Sequence, residues 1–154
     1  METEGKAADI LLDLYQSGTS NVTEIARRTS STYAHTVRVV KKLEGMGLVR
    51  FEKRGRTKLV ELTELGRKIG ERLDEIESLV KLARLGVEVE ALYAREVKGK
   101  LREEINQRKV VEGLAQISKQ LDPLQSKEGM LEFVLKLRAR MEEIEREVKG
   151  LVLG

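Results

Sequence analysis

The sequence predicts a mainly α-helical protein with one small β-hairpin: a compact N-terminal unit followed by long helices. Three observations carry this. Before residue 46, apolar residues recur at helical three-and-four spacing in short segments. Two strand-like runs, residues 48–51 and 59–62, flank Arg54-Gly55-Arg56, where a glycine suits a hairpin turn that needs a positive φ. From Ile69 onward the apolar spacing alternates by four and three, as in a heptad seam. At 40% hydrophobic and 36% charged, the composition is that of a folded globular chain, and with three Tyr, two Phe and no Trp its core must be built mostly from Leu, Val and Ile.

The elements follow in order. Ala7, Ile10, Leu11 and Leu14 share one face of a helix over residues 7–16, which Ser17-Gly18 ends. Residues 19–22 form a short connector or strand. Thr23 is placed to cap a second helix over 24–29 whose inward residues are Ile25 and Ala26. Thr29, Ser30 and Ser31 make a tight turn, and Ser31 or Thr32 caps a third helix over 32–45 with Thr36, Val40 and Leu43 inward. Gly47 is its αL terminator. After the hairpin, Thr63 caps a long helix, with Glu64 in its first turn where negative charge suits the dipole.

The long region carries a seam of Ile69, Leu73, Ile76, Val80, Ala83 and Val87, which Gly86 can break. A further helical stretch holds Leu101, Ile105, Leu114, Ile117 and Leu121, and Asp122-Pro123 is expected to end it. The last helix, over residues 127–150, has a stripe of Leu131, Val134, Met141, Ile144, Val148 and Leu151. Stripes this narrow need a partner, within the chain or in a second copy. The heptads favour a second copy, with Ile69, Leu73, Ile76, Val80, Leu131, Val134, Met141, Ile144 and Val148 as candidate dimerisation residues. The expected domains are therefore residues 1–66, and a helical dimerisation or interaction region at 67–154 that forms a bundle or a coiled-coil-like pair.

Charge is laid out unevenly. Residues 21–60 hold ten Lys and Arg against three Asp and Glu, whereas residues 69–154 hold sixteen against seventeen. A local basic excess points to a polyanionic partner for the first unit. The order helix, helix, turn, helix, basic hairpin is that of a winged helix-turn-helix. Such a fold lays its third helix in the major groove of duplex DNA. That helix offers Thr32, Tyr33, Ala34, His35, Val37 and Arg38 in its first half, and Arg38 suits bidentate contact with guanine or phosphate. Tyr33 and His35 can hydrogen-bond bases or phosphates, and Lys41 and Lys42 lie further along, towards phosphates. Thr23, Ser31 and Thr32, at helix starts, can bring backbone N–H groups to phosphate.

The segments "VTEIARR", "TVRVVKKLEGMGLV" and "VELTELG" make the chain resemble the MarR-like prokaryotic winged-helix regulators over about residues 22–66, completed by the helix at 7–16. The resemblance implies a DNA-binding transcriptional regulator acting as a homodimer. It also implies a wing that meets the minor groove through Lys53, Arg54, Arg56 and Lys58, and arginine suits a narrow groove. It leaves room for a small-molecule effector. Only six residues precede Ala7, so the resemblance does not extend to the preceding helix of that family, and dimer topology is not carried over. Two other readings stay open: a winged-helix protein-interaction module, and a non-specific architectural DNA binder.

Other chemistry is not encoded. One His and no Cys leave no His/Cys metal site or disulfide. The pairs Glu71/Glu75 and Asp9/Asp13 have no second ligand cluster. No Walker loop or nucleophile elbow is present, and His35 lacks triad partners, so neither enzyme activity nor a cofactor is expected. No apolar run approaches the ~20 residues that span a bilayer, and the first residues, "METEGK", carry no signal pattern, so a cytoplasmic location is expected.

Overall fold

A computed structural model describes residues 2–150. The elements run α1 (Glu2–Ser17), β1 (Ser20–Asn21), α2 (Val22–Arg28), α3 (Tyr33–Gly45), β2 (Val49–Arg54), β3 (Thr57–Leu62), α4 (Glu64–Glu96), a single 3-10 turn (Arg102–Glu104), α5 (Gln107–Gln125) and α6 (Leu131–Lys149). The chain divides into two compact units, residues 1–77 and 78–154. Among the described residues, no helix is long and apolar enough to cross a membrane.

The first unit packs α1, α2 and α3 on a small antiparallel sheet of order β1-β3-β2. Its core holds the aliphatic residues the spacing implied, Ile10, Leu11 and Leu14 from α1, Ile25 from α2 and Val40 and Leu43 from α3, joined by Val39 of α3 and by Val49, Val60 and Leu62 of the sheet. Thr36 is fully buried, and its hydroxyl donates to the Thr32 carbonyl at 2.8 Å, so the polar group is satisfied. The helix starts are fixed by side chains. Thr32 accepts from the His35 N–H at 3.1 Å and caps α3. The α2 cap differs from expectation: it is Asn21, not Thr23. Asn21 Oδ1 accepts from the Glu24 N–H while the Glu24 carboxylate accepts from the Asn21 N–H, a reciprocal box that moves the helix start two residues earlier. A half-buried Arg28–Asp13 fork, at 2.8 and 2.9 Å, ties α2 to α1. The bond to Asp13 raises the Arg28 pKa above its ordinary value.

Thr63 joins the wing to α4. Its hydroxyl donates to the Gly47 carbonyl at 2.7 Å and accepts from the Gly66 N–H at 3.1 Å, and its own N–H donates to the Leu48 carbonyl at 3.1 Å. Both Gly47, which ends α3 with φ +74°, and the first turn of α4 are thereby held on one side chain.

The second unit buries Leu82, Leu85, Val89 and Leu92 of α4 against Val110, Leu114, Ile117 and Leu121 of α5 and Val134, Met141, Ile144 and Val148 of α6. Several expectations change here. Gly86 does not interrupt α4, and Pro123 does not end α5, which runs on to Gln125. Proline removes one N–H in the last turn only, and Leu121 and Leu124 on either side are held in the core. Residues 101–105 precede α5 rather than belong to it, because Asn106 caps the helix through the Lys109 N–H. Leu151 lies outside the described residues.

The expected dimer seam is largely spent within the chain. Val134, Met141, Ile144 and Val148 are buried in the second unit's own core, and Ile69 and Leu73 pack on the first unit's core. Ile76, Val80 and Leu131 are left 56%, 44% and 48% exposed. The reason is rotational. The buried stripe of α4 lies about half a helical turn from the 76/80/83/87 stripe, at ~100° per residue.

Two carboxylates link α4 to its neighbours. Glu90 accepts a fork from Arg140 at 2.9 and 3.0 Å, which holds its pKa below the ordinary value. Burial works against the charge of Glu96, yet bonds to Lys109 and Arg95 leave its pKa lowered as well. A lowered folded-state pKa gives stability that is present above the unfolded carboxylate value, about 4.3, and lost as pH falls through the folded values. The thermal midpoint of the second unit is therefore expected to fall on acidification below about pH 4, and Glu90→Gln with Glu96→Gln should flatten that dependence in circular dichroism melts. An unchanged acid slope in the double variant would remove these pairs as its cause.

Candidate nucleic-acid interface

The outer face of α3 and the tip of the β2–β3 hairpin carry the basic residues singled out in the sequence. The turn into α3 is fixed by Ser30 at φ +52° and by Thr29, whose hydroxyl donates to the Ile25 carbonyl at 2.8 Å. With Thr36, Val39, Val40 and Leu43 buried, Tyr33, Ala34, Arg38, Lys41 and Lys42 are left exposed. Tyr33 is 58% exposed at the first position of the helix. Val37 is different: it packs partly against the core and is not an outward residue. Arg38 reaches back one turn, its Nη2 lying 3.4 Å from His35 Nδ1.

The hairpin register pairs Lys53 with Lys58 and Arg54 with Thr57, closed by a two-residue turn at Gly55-Arg56. Gly55 has φ +62° and Arg56 a negative φ, the pattern of a type II′ turn. Like charges directly opposite on a ladder repel. Lys58 is compensated by the Phe51 ring, 4.0 Å below its ammonium. Arg54 is held by Glu52 at 3.2 and 3.4 Å, and Arg50 by Glu61 at 2.6 Å. Arg56 forms no ion pair among the described residues. The hairpin thus presents Lys53, Arg54, Arg56 and Lys58 at an exposed tip with one internal counter-charge.

The remaining candidates are less well placed. Thr23 is exposed in the first turn of α2, but the Asn21–Glu24 box already occupies that helix start. Ser31 is half-buried, and the Thr32 hydroxyl is committed to its cap. Arg27, exposed on the last turn of α2, was not singled out from the sequence; its position beside the turn was the available signal. Glu52 is the one acid of residues 50–58, but its pairing with Arg54 is legible only in the structure, because it depends on the strand placing alternate side chains on one face. Among the described residues, no cluster of three or more His, Asp or Glu is arranged to hold a metal ion.

If the wing meets phosphate, Glu52 competes for Arg54 and repels the ligand. Glu52→Gln is expected to tighten duplex binding by about three- to ten-fold at low salt, the scale of one exposed charge. Fluorescence anisotropy titration reads it, and an unchanged or weaker affinity would contradict contact at the wing.

Known proteins resemble parts of this chain. The MarR family model matches residues 6–56. A relative described as an uncharacterized protein, from Archaeoglobus fulgidus, is 31% identical over 75 residues, covering 46% of this chain and 79% of that protein. Two solved structures are also similar. AF1382 from Archaeoglobus fulgidus is 29% identical over 49% of this chain and 88% of its own, with TM-score 0.46. NMB1585, a MarR family regulator from Neisseria meningitidis, is 20% identical over 79% of this chain and 80% of its own, with TM-score 0.44.

Proposed function

The chain belongs to the MarR family, and on that premise we propose that it is a transcriptional regulator that binds specific double-stranded DNA as a homodimer. Residues 1–66 form the DNA-binding domain in this reading, and residues 67–154 form the dimerisation region. One observation carries it most: Arg38, Lys41 and Lys42 on the outer face of α3 and Arg54 and Arg56 at the hairpin tip are all exposed, while the neighbouring Arg28 is tied to Asp13. The α3 residues would read base edges in the major groove. The wing would add backbone and minor-groove affinity through Lys53, Arg54, Arg56 and Lys58.

Binding to a pool of duplex fragments, measured across salt, tests the assignment. Arg54→Ala with Arg56→Ala should reduce the slope of log affinity against log salt by about 1.8, near 0.9 for each lost phosphate contact. A slope equal to that of the unmodified protein would remove the wing from the interface.

The exposed apolar residues of the second unit favour one rival, a protein-interaction module whose helices are the main working surface. Partner capture that survives nuclease, without intrinsic duplex affinity, would support that reading instead.

A further inference from the structure

The second unit has an apolar groove beside an apolar ridge. The groove, about 460 Å³, runs between α4 and α6 and is lined by Leu79, Ala83 and Gly86 on one side and Phe133 and Leu137 on the other. Lys136 and Arg140 supply its polar side chains, and Arg140 is already forked to Glu90. The ridge is the outward stripe of α4: Val80, Ala83 and Val87, spaced three and four as heptad positions are. None of these belongs to the buried stripe of Leu82, Leu85, Val89 and Leu92.

We propose that a second copy of this chain covers this face, each copy seating its Val80/Val87 ridge in the other's α4–α6 groove. This rests on the homodimer of the preceding reading and says which surface forms it. Three observations single out a second copy as the occupant. Ridge and groove lie side by side on one unit, so a two-fold arrangement covers both at once, whereas an unrelated helix in the groove leaves the ridge in water. The exposed area is of the right size. Leu79, Val80, Val87 and Phe133 are 40%, 44%, 70% and 46% exposed, on the order of 400 Å² of apolar surface, close to the apolar share of the ~800 Å² each partner gives to a stable interface. The charges are complementary as well. Glu88, on the flank of the ridge turned away from its own groove, forms no ion pair among the described residues. Among the described residues, Lys136 on the groove wall pairs with an exposed Glu132 one turn away, at 3.5 Å.

Gly86 allows a test that separates folding from association. A Cβ at this position meets nothing within 4 Å in its own chain, so Gly86→Leu is expected to raise the thermal midpoint of the monomer through helix propensity while filling the groove. Sedimentation equilibrium on the full chain reads association. The unmodified protein should be a dimer at micromolar concentration. Val80→Glu with Val87→Glu should weaken the dimer by about 100-fold or more, and so should Gly86→Leu despite its higher midpoint. Glu88→Lys should weaken it less, with recovery when combined with Lys136→Glu. A monomeric unmodified protein would overturn this surface and the homodimer together. A dimer indifferent to both the ridge and the groove variants would overturn this surface alone and leave dimerisation to another face.

Discussion

Gly66→Ala is expected to destabilise the first unit by about 3 kcal/mol and lower its melting temperature by roughly 15 °C. Intrinsic propensity points the other way, because replacing a helical glycine by alanine normally gains about 1 kcal/mol. Steric contact decides the sign. A Cβ at Gly66 would lie 1.9 Å from the Leu48 carbonyl oxygen and 2.9 Å from its carbon, both backbone atoms that cannot rotate away. The same carbonyl accepts the Thr63 N–H, so moving it also loosens the cap that holds the end of α3 and the start of α4. Gly70 is a milder case in the same helix: a Cβ there meets Tyr15 Cβ at 2.7 Å and the Leu11 carbonyl at 3.2 Å. Heating monitored by circular dichroism checks the order Gly66→Ala below Gly70→Ala below unmodified. A Gly66→Ala protein that melts with the unmodified one would show that α4 does not rest on the Leu48 backbone.

The second large effect belongs to Arg38. Arg38→Ala is expected to cost about 1–3 kcal/mol of binding to the preferred duplex, roughly five- to 150-fold, and to relax sequence preference at one position of each half-site. The wing variants should behave differently, weakening all duplexes alike and lowering the salt slope, because a phosphate contact carries no sequence information. Arg38 is exposed, and its partner within the chain is His35, a turn away, so its removal leaves no buried group unpaired and the fold should be unaffected. Titrations of the preferred and a scrambled duplex, side by side, separate the two classes. Equal losses on both duplexes would make Arg38 a backbone contact.

Much of the first unit was legible because its signals are local. Aliphatic spacing placed Ile10, Leu14, Ile25, Val40 and Leu43 in the core, and glycines marked the end of α3 and the hairpin turn. The α2 cap was misplaced because Thr23 and Asn21 are both good capping residues, and the Glu24 side chain decides between them. In the second unit, spacing identified helices but not which stripe meets which. The α4 helix is apolar on more than one side, and only packing chooses Leu82, Leu85, Val89 and Leu92 over Val80, Ala83 and Val87. Pro123 shows the same limit, since core contacts on either side outweigh a single lost hydrogen bond at a helix end. At the candidate interface, residue types were readable from the sequence. The pairings that tune them, Arg54 with Glu52 and Lys58 with Phe51, needed the strand register.

Selection of bound sequences from a random duplex library tests the central claim most directly. A dimeric, sequence-reading regulator should enrich a two-fold palindrome with half-sites about one helical turn, or a multiple of it, apart, and Arg38→Ala should lose preference at one base of each half. Recovery of duplex without any enriched motif would contradict sequence-specific regulation and leave non-specific binding in its place.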